Sequence, residues 1–394
     1  MQVVKGNEAA ALAVRACKPD VIAAYPITPQ SPLVEYLGQY VADGDLDSTM
    51  SEVESEHSAM SVLQGASLAG GRTFTATSSQ GLALMYEPYF RTSTLRLPVV
   101  MAMVNREMIS PQTVWGGPQD SLTLRDAGWL QIYVESNQEI FDTLVQAFKI
   151  AEDPEVLLPI NVCYDGFYLS HMSEPIVLTQ QQDVDDFLPP YRSRHIRLDP
   201  DDVMSVDPLT PGHLLTEYRM RHVKAQQRAL DVIQRADRDY ERITGRSWGG
   251  LTYEYKAEGA RAVLVTMGSM TGAARVAVDQ ARARGVSVGL LKVRCLRPFP
   301  EDEIREALQG REAYAVVDRN VSFGWNTGIV YQEIRAAMSG RDVPSVNYIG
   351  GLGGEDLTVD MFGEVIDELV GLADGNQPAE RCQWLVNPLR AGDR

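Results

Sequence analysis

The sequence predicts an α/β protein of two domains, each built on a mostly parallel sheet covered on both faces. Three observations carry this. The chain has 394 residues, 44% of them hydrophobic, which is enough for two buried cores. Short apolar runs alternate with helical patterns in residues 1 to about 170, and again from about Gly259. Between these blocks lie a long, highly charged helical pattern and a glycine-containing linker. The expected boundaries are a first domain over 1–240, which includes the long connecting helix, a linker over 241–258 and a second domain over 259–394.

Taken in order, Asn7 to Ala16 reads as a helix with a small, apolar face, and Val21 to Ala24 as a short strand. The proline-punctuated stretch Tyr25 to Pro32 ends that strand, and Leu33 to Val41 resumes helical spacing. Ser55 is placed to cap a helix from Glu56 to about Ala69. Arg72 to Ala76, Pro98 to Val104 and Leu158 to Cys163 read as strands. Residues 176–212 form a proline- and aspartate-rich excursion without a core of its own, and His213 to Ile243 returns to a long helix. In the second block, Ala262 to Met267 is a strand and Gly268 to Gly272 a turn. A helix over Ala273 to Arg284 is ended by Gly285. A strand over Val286 to Val293 follows, then the loop Arg297 to Pro300 and further alternation through Met338.

Composition excludes several function classes. With 36 basic and 53 acidic side chains the net charge is −17, which opposes binding to nucleic acid or to an anionic membrane. No apolar run approaches the roughly 18–20 residues that span a bilayer, and the first residues lack the pattern of a signal peptide. A cytoplasmic protein is expected. Cys17, Cys163, Cys295 and Cys382 are dispersed, and the five histidines form no ligand pair, so neither a metal nor an iron–sulfur cluster is expected on this chain.

Residue patterns alone leave the site open. Gly268 to Gly272 is a β–α turn that matches neither phosphate-binding fingerprint. Glu52, Glu54 and Glu56 read as a solvated acidic helix start. Arg106 follows an apolar strand, at the end where open α/β sheets bind ligands, yet an isolated arginine there is more often a surface ion pair. No nucleophile elbow is present.

Together, several motifs change this reading. They are Ala24-Tyr25-Pro26-Ile27-Thr28-Pro29-Gln30-Ser31-Pro32, Glu54-Ser55-Glu56-His57-Ser58-Ala59, Thr75-Ala76-Thr77-Ser78-Ser79-Gln80-Gly81-Leu82, Asn105-Arg106, Gln119-Asp120 and Tyr164-Asp165-Gly166-Phe167. The second block adds Arg297-Pro298-Phe299-Pro300, Asp318-Arg319-Asn320 and Gly351-Leu352-Gly353-Gly354. In this order the chain resembles the alpha subunit of the 2-oxoacid:acceptor oxidoreductases, the pyruvate:ferredoxin oxidoreductase family.

That resemblance implies a pyrimidine-binding-like α/β domain of thiamine enzymes followed by a transketolase C-terminal-like domain. It implies oxidative decarboxylation of a 2-oxo acid to an acyl-CoA, with thiamine diphosphate shared between this chain and a beta subunit. Magnesium and 4Fe–4S clusters belong to partner subunits, with gamma and delta (ferredoxin-like) subunits completing a dimer of hetero-oligomers. Ferredoxin or NAD is the acceptor and coenzyme A a co-substrate. By motif match, Glu56 contacts N1′ of the aminopyrimidine, and Thr28 and Arg106 grip the substrate carboxylate. Where relatives often carry acidic or amide residues, this chain has Gly116-Gly117 beside Trp115. Removal of side-chain bulk there suits an aryl or branched 2-oxo acid such as phenylglyoxylate as well as pyruvate. The alternatives are a non-catalytic thiamine-fold assembly subunit and a transketolase-like transferase. The latter needs a diphosphate motif that Ala373-Asp374-Gly375-Asn376 supplies only in a poor context.

Overall fold

The strands of the chain, in order, are β1 (Gln2–Lys5), β2 (Val21–Ala24), β3 (Thr49–Glu52), β4 (Thr73–Thr77), β5 (Val100–Asn105), β6 (Leu130–Tyr133), β7 (Ile160–Asp165) and β8 (Ser173–Ile176). They continue as β9 (Thr252–Tyr255), β10 (Ala262–Thr266), β11 (Val288–Val293), β12 (Cys295–Arg297), β13 (Ala313–Asp318), β14 (Ser345–Gly350) and β15 (Cys382–Leu385). This computed structural model describes residues 1–386; residues 387–394, the end of the expected second domain, lie outside the described residues. One sheet has seven strands in the order β12-β6-β7-β5-β4-β2-β3, and a second has six in the order β15-β14-β13-β10-β11-β9. Within them only the β12–β6 and β11–β9 pairs are antiparallel. A two-stranded antiparallel pair, β1–β8, lies apart. Among the described residues, no helix is long and apolar enough to cross a membrane.

The local signals work as expected. Ser55 caps the helix Glu56–Leu68, its Oγ accepting from the Ser58 N–H at 3.2 Å. Thr358 does the same for the helix Val359–Ala373, accepting from Met361 N–H at 3.2 Å. The long charged pattern forms one helix, Gly212–Thr244, closed by Gly245 in the left-handed region. The excursion is tied to the body where the short helix Gln181–Phe187 puts Val184 and Phe187 into the first core.

Two features escape the pattern. β3 is polar and at a sheet edge, so it shows no apolar alternation; its backbone pairing with β2 makes it a strand. β12 follows directly on β11 but leaves the second sheet and joins the first, pairing with β6. The two blocks also share a core. Met60, Leu63, Tyr89, Met101 and Trp129 of the first pack in one cluster with Val263, Val265, Leu291, Tyr314 and Ile334 of the second.

A buried ion cluster pins this junction. Lys292 on β11 reaches Glu139 Oε2 at 2.6 Å, and Arg294 Nε reaches Glu139 Oε1 at 2.8 Å. Arg294 also donates to the Gly250 carbonyl and to Thr143 Oγ1. Glu139 and Arg294 are completely buried. Removing the carboxylate strands the buried Arg294 and leaves Lys292 only its longer pair with Glu135 at 3.3 Å, so Glu139→Gln should lower the unfolding free energy by about 3–5 kcal/mol, the usual scale for a broken buried pair. Urea denaturation of the isolated chain checks this; a midpoint unchanged from wild type would contradict it.

Candidate active site

The loop after β2 is held from three sides. Gln30 is fully buried; its Oε1 accepts from Ile27 N–H and its Nε2 donates to the Ala76 carbonyl at 3.0 Å. Asn7 donates to the Pro29 carbonyl at 2.8 Å, and Tyr164 Oη donates in turn to Asn7 at 2.9 Å. The ends of β4 and β7 and the first helix therefore fix the path of Thr28, whose side chain faces outward and is exposed.

Arg106 stands at the carboxyl end of β5 and is buried. Its Nη1 donates to the Thr28 carbonyl at 2.9 Å and its Nε to the Thr113 carbonyl at 3.0 Å. Arg106 and the Thr28 loop are thus brought together, with Nη2 carrying no hydrogen bond among the described residues. The backbone N–H of Arg106 donates to Asp120 Oδ2 at 3.0 Å, and that of Ser79 to the same oxygen at 2.9 Å. Asp120 Oδ1 accepts from Asn105 Nδ2 and from Ser121 N–H, each at 2.7 Å. Burial pushes the Asp120 carboxyl up to about 6 against the pull of these donors.

Ser79 has φ 46° and ψ −118°, a strained turn between β4 and the helix Gln80–Leu84. That turn brings Gly81 against Glu56. A Cβ on Gly81 would lie 2.5 Å from Glu56 Oε1 and also collide with Thr77 Oγ1, so only glycine lets the carboxyl sit there. Glu56 is 4% exposed, unlike Glu52 and Glu54, which are exposed. The expected solvated acidic helix start is therefore not what forms: Glu52 ends β3, Glu54 precedes the Ser55 cap, and Glu56, which does begin the helix, is buried. Burial raises the Glu56 carboxyl above its ordinary range, and its own backbone N–H pulls the other way. The buried Thr77 Oγ1 and Gln80 Oε1 nearby in the chain have no hydrogen-bond partner.

The second sheet closes on the site from below. Arg319 pairs with Asp165 Oδ2 at 2.8 Å and donates to Ser269 Oγ at 3.1 Å; Ser269 Oγ also donates to Asp165. The Gly353 N–H donates to Glu107 Oε1 at 3.3 Å, joining the residue after Arg106 to the glycine-rich loop after β14. The glycine-rich loops thus serve the junction between the two sheets.

Gly116-Gly117 does not leave the expected room for a substrate. A Cβ on Gly117 would fall within 2.5 Å of Glu107 Cδ, and one on Gly116 within 2.5 Å of the Gly166 carbonyl oxygen. The chain itself fills both spaces, because the loop folds back and Glu107 N–H donates to the Trp115 carbonyl. Trp115 packs on Phe167 with ring centroids 4.7 Å apart and remains 52% exposed. Sequence reasoning singled out Thr28, Glu56 and Arg106 but gave no role to Ser79, Gly81, Glu107, Asp120 or Arg319. All but Glu107 sit inside the quoted motifs, but no spacing reveals which distant group each one meets.

Residues 12–238 match the family described as "Pyruvate flavodoxin/ferredoxin oxidoreductase, thiamine diP-bdg", and residues 260–362 match "Pyruvate:ferredoxin oxidoreductase core domain II". The chain is 47% identical over 392 residues to the NADH-dependent phenylglyoxylate dehydrogenase subunit alpha of Aromatoleum evansii, covering 97% of this chain and 94% of that one. It is 44% identical over 371 residues to the pyruvate synthase subunit PorA of Methanosarcina barkeri, covering 93% and 92%. Its fold is shared with 2-oxoglutarate:ferredoxin oxidoreductase from Magnetococcus marinus at a TM-score of 0.75 and 20% identity, over 94% of this chain and 65% of that chain. A split-gene transketolase shares it at a TM-score of 0.57 and 12% identity, over 94% and 99%.

Burial lifts Glu107 from 4.5 to about 7. Between those values the folded chain holds a proton that the unfolded chain has released. Stability is therefore greatest below the lower value and is lost as pH rises through the upper one. Glu107→Gln removes that loss while keeping an acceptor for Gly353 N–H. The variant should gain stability over wild type at about pH 8, and the gain should shrink towards about pH 5. Urea midpoints of the isolated chain across that range provide the check; a gain independent of pH would count against it.

Proposed function

Because the chain belongs to the pyruvate flavodoxin/ferredoxin oxidoreductase family, we propose that it is the alpha subunit of a thiamine-diphosphate-dependent 2-oxoacid oxidoreductase. The reaction converts a 2-oxo acid and coenzyme A to an acyl-CoA and carbon dioxide, and two electrons leave through iron–sulfur clusters. The observation that carries this reading is Glu56, a buried carboxyl with a raised proton affinity, given its place by the absence of a side chain at Gly81.

The residues present fit the aminopyrimidine half of the cofactor. Glu56 can hold a proton at N1′, and Gly81 leaves its carboxyl uncrowded. When bound, the cofactor supplies a carbon nucleophile and a sink for the electron pair released on decarboxylation. A carboxyl of raised pKa suits Glu56 to give and retake that proton near neutral pH. Arg106 and Thr28 orient the substrate carboxylate; a planar guanidinium fork offers two parallel donors for such a group. Both pyruvate and phenylglyoxylate enzymes stand among the relatives, and the acyl group is a small or a larger aryl or branched one.

The diphosphate, magnesium and 4Fe–4S clusters are assigned to a beta subunit and to gamma and delta subunits of a cytoplasmic dimer of hetero-oligomers. The relatives named as alpha subunits support this, as does the dispersal of this chain's cysteines, of which Cys17, Cys163 and Cys295 are buried.

Glu56→Gln keeps the shape but cannot exchange the proton, so hydrogen–deuterium exchange at the thiazolium C2 of the reconstituted complex should slow by roughly 10²-fold or more. Cofactor binding should fall far less. Gly81→Ala should mimic it by displacing the carboxyl. Exchange at the wild-type rate in the Glu56 variant would refute the assignment.

A further inference from the structure

The apolar stripe of the helix Gly212–Thr244 runs past the edge of the molecule. Its buried residues, His222, Ala225, Ala229, Val232, Ile233 and Ala236, recur every three or four positions on one face. The same spacing continued towards the N-terminus reaches Tyr218 and Leu215, which are 49% and 47% exposed. None of residues 212–221 is buried, so about 15 Å of helix, at about 1.5 Å per residue, stands clear of the body. The preceding loop is also apolar and uncovered: Val203 and Leu209 are almost wholly exposed. An exposed apolar surface this continuous marks a contact surface.

Its charges say what covers it. The chain as a whole carries −17, yet Arg219 on the overhang and Lys224 and Arg228 just beyond it make the first half of this helix basic, Arg221 being paired with Glu217. The loop just before it is acidic through Asp201 and Asp202. These five side chains form no ion pair among the described residues. A cavity of about 410 Å³, lined in part by Phe90, Arg219, His222, Val223 and Pro298, opens at the base of the overhang. It offers apolar and cationic walls, and the loop offers exposed apolar and acidic groups. One element therefore carries both halves of a complementary surface, the arrangement required when the same patch meets itself across a two-fold axis.

We infer that the arm formed by residues 199–228 pairs with the same arm of a second copy of this chain, acidic loop against basic helix, with Leu215 and Tyr218 buried between them. This gives the proposed dimer of hetero-oligomers a specific contact. The inference rests on that reading only for its setting, because its readouts are capture and mass, not turnover.

The test uses the assembled complex, with two differently tagged copies of this chain co-expressed. Capture through one tag should recover the other. Arg219→Glu with Lys224→Glu and Arg228→Glu should abolish that recovery and halve the particle mass, and so should Asp201→Lys with Asp202→Lys. All five changes in one chain restore opposite charges across a two-fold contact and should restore both recovery and mass. Zero-length carboxyl–amine cross-linking should join Lys224 of one copy to Asp201 or Asp202 of the other. Undiminished recovery with the helix charges reversed would overturn the inference. So would failure of the five-fold variant to regain recovery, or Lys224 cross-linking only to a different subunit.

Discussion

Asp120 is wholly buried, and each of its oxygens accepts two hydrogen bonds: Asn105 and Ser121 on one side, Ser79 and Arg106 on the other. Both the turn after β4 and the end of β5 hang from this one carboxylate. The Ser79 backbone conformation costs on the order of 1–3 kcal/mol and persists only where its surroundings hold it. Once held, it starts the helix Gln80–Leu84 at the point that seats Gly81 beside Glu56. The Arg106 backbone, held by the same oxygen, aims its guanidinium at the Thr28 loop. Glu56 and the contact between Arg106 and the Thr28 loop are thus positioned by one buried carboxylate.

The second domain contributes stiffness rather than a second reactive group. Its charged contacts with the first, Lys292 and Arg294 on Glu139 and Arg319 on Asp165, are buried and geometrically demanding. Such pairs add little net stability compared with apolar packing, but they tolerate few alternative arrangements. With β12 woven into the first sheet and a hydrophobic cluster shared by both blocks, the two sheets form one framework. The glycine-rich loop after β14 is thereby brought to Glu107, directly behind Arg106.

An uncovered arm suits a chain whose relatives are named as subunits. Thr28 is exposed beyond β2, and Glu56 is buried at the start of the helix that follows the edge strand β3. The arm exposes apolar side chains that a solitary protein would bury or replace. Its helix is basic along the first half, where the chain as a whole is strongly acidic.

Much of this was legible in the sequence. Strand and helix identity follows from periodicity within about ten residues, so β2, the Ser55 cap and the long helix emerge from neighbouring residues alone. Thr28, Glu56 and Arg106 could be singled out because each stands in a motif. Choice of partner is a different kind of information. Nothing near Cys295 says that β12 pairs with β6. Nothing near Gly117 says that the Glu107 carboxyl fills the space beside it, and the glycine pair alone suggests an open pocket. Glu52, Glu54 and Glu56 alternate identically in the chain, yet only Glu56 is buried, because the turn at Ser79 delivers Gly81 to that residue. Local pattern sets what each segment becomes; burial, proton affinity and the neighbours of a reactive group depend on contacts between residues far apart in sequence, and only the packed tertiary structure decides those.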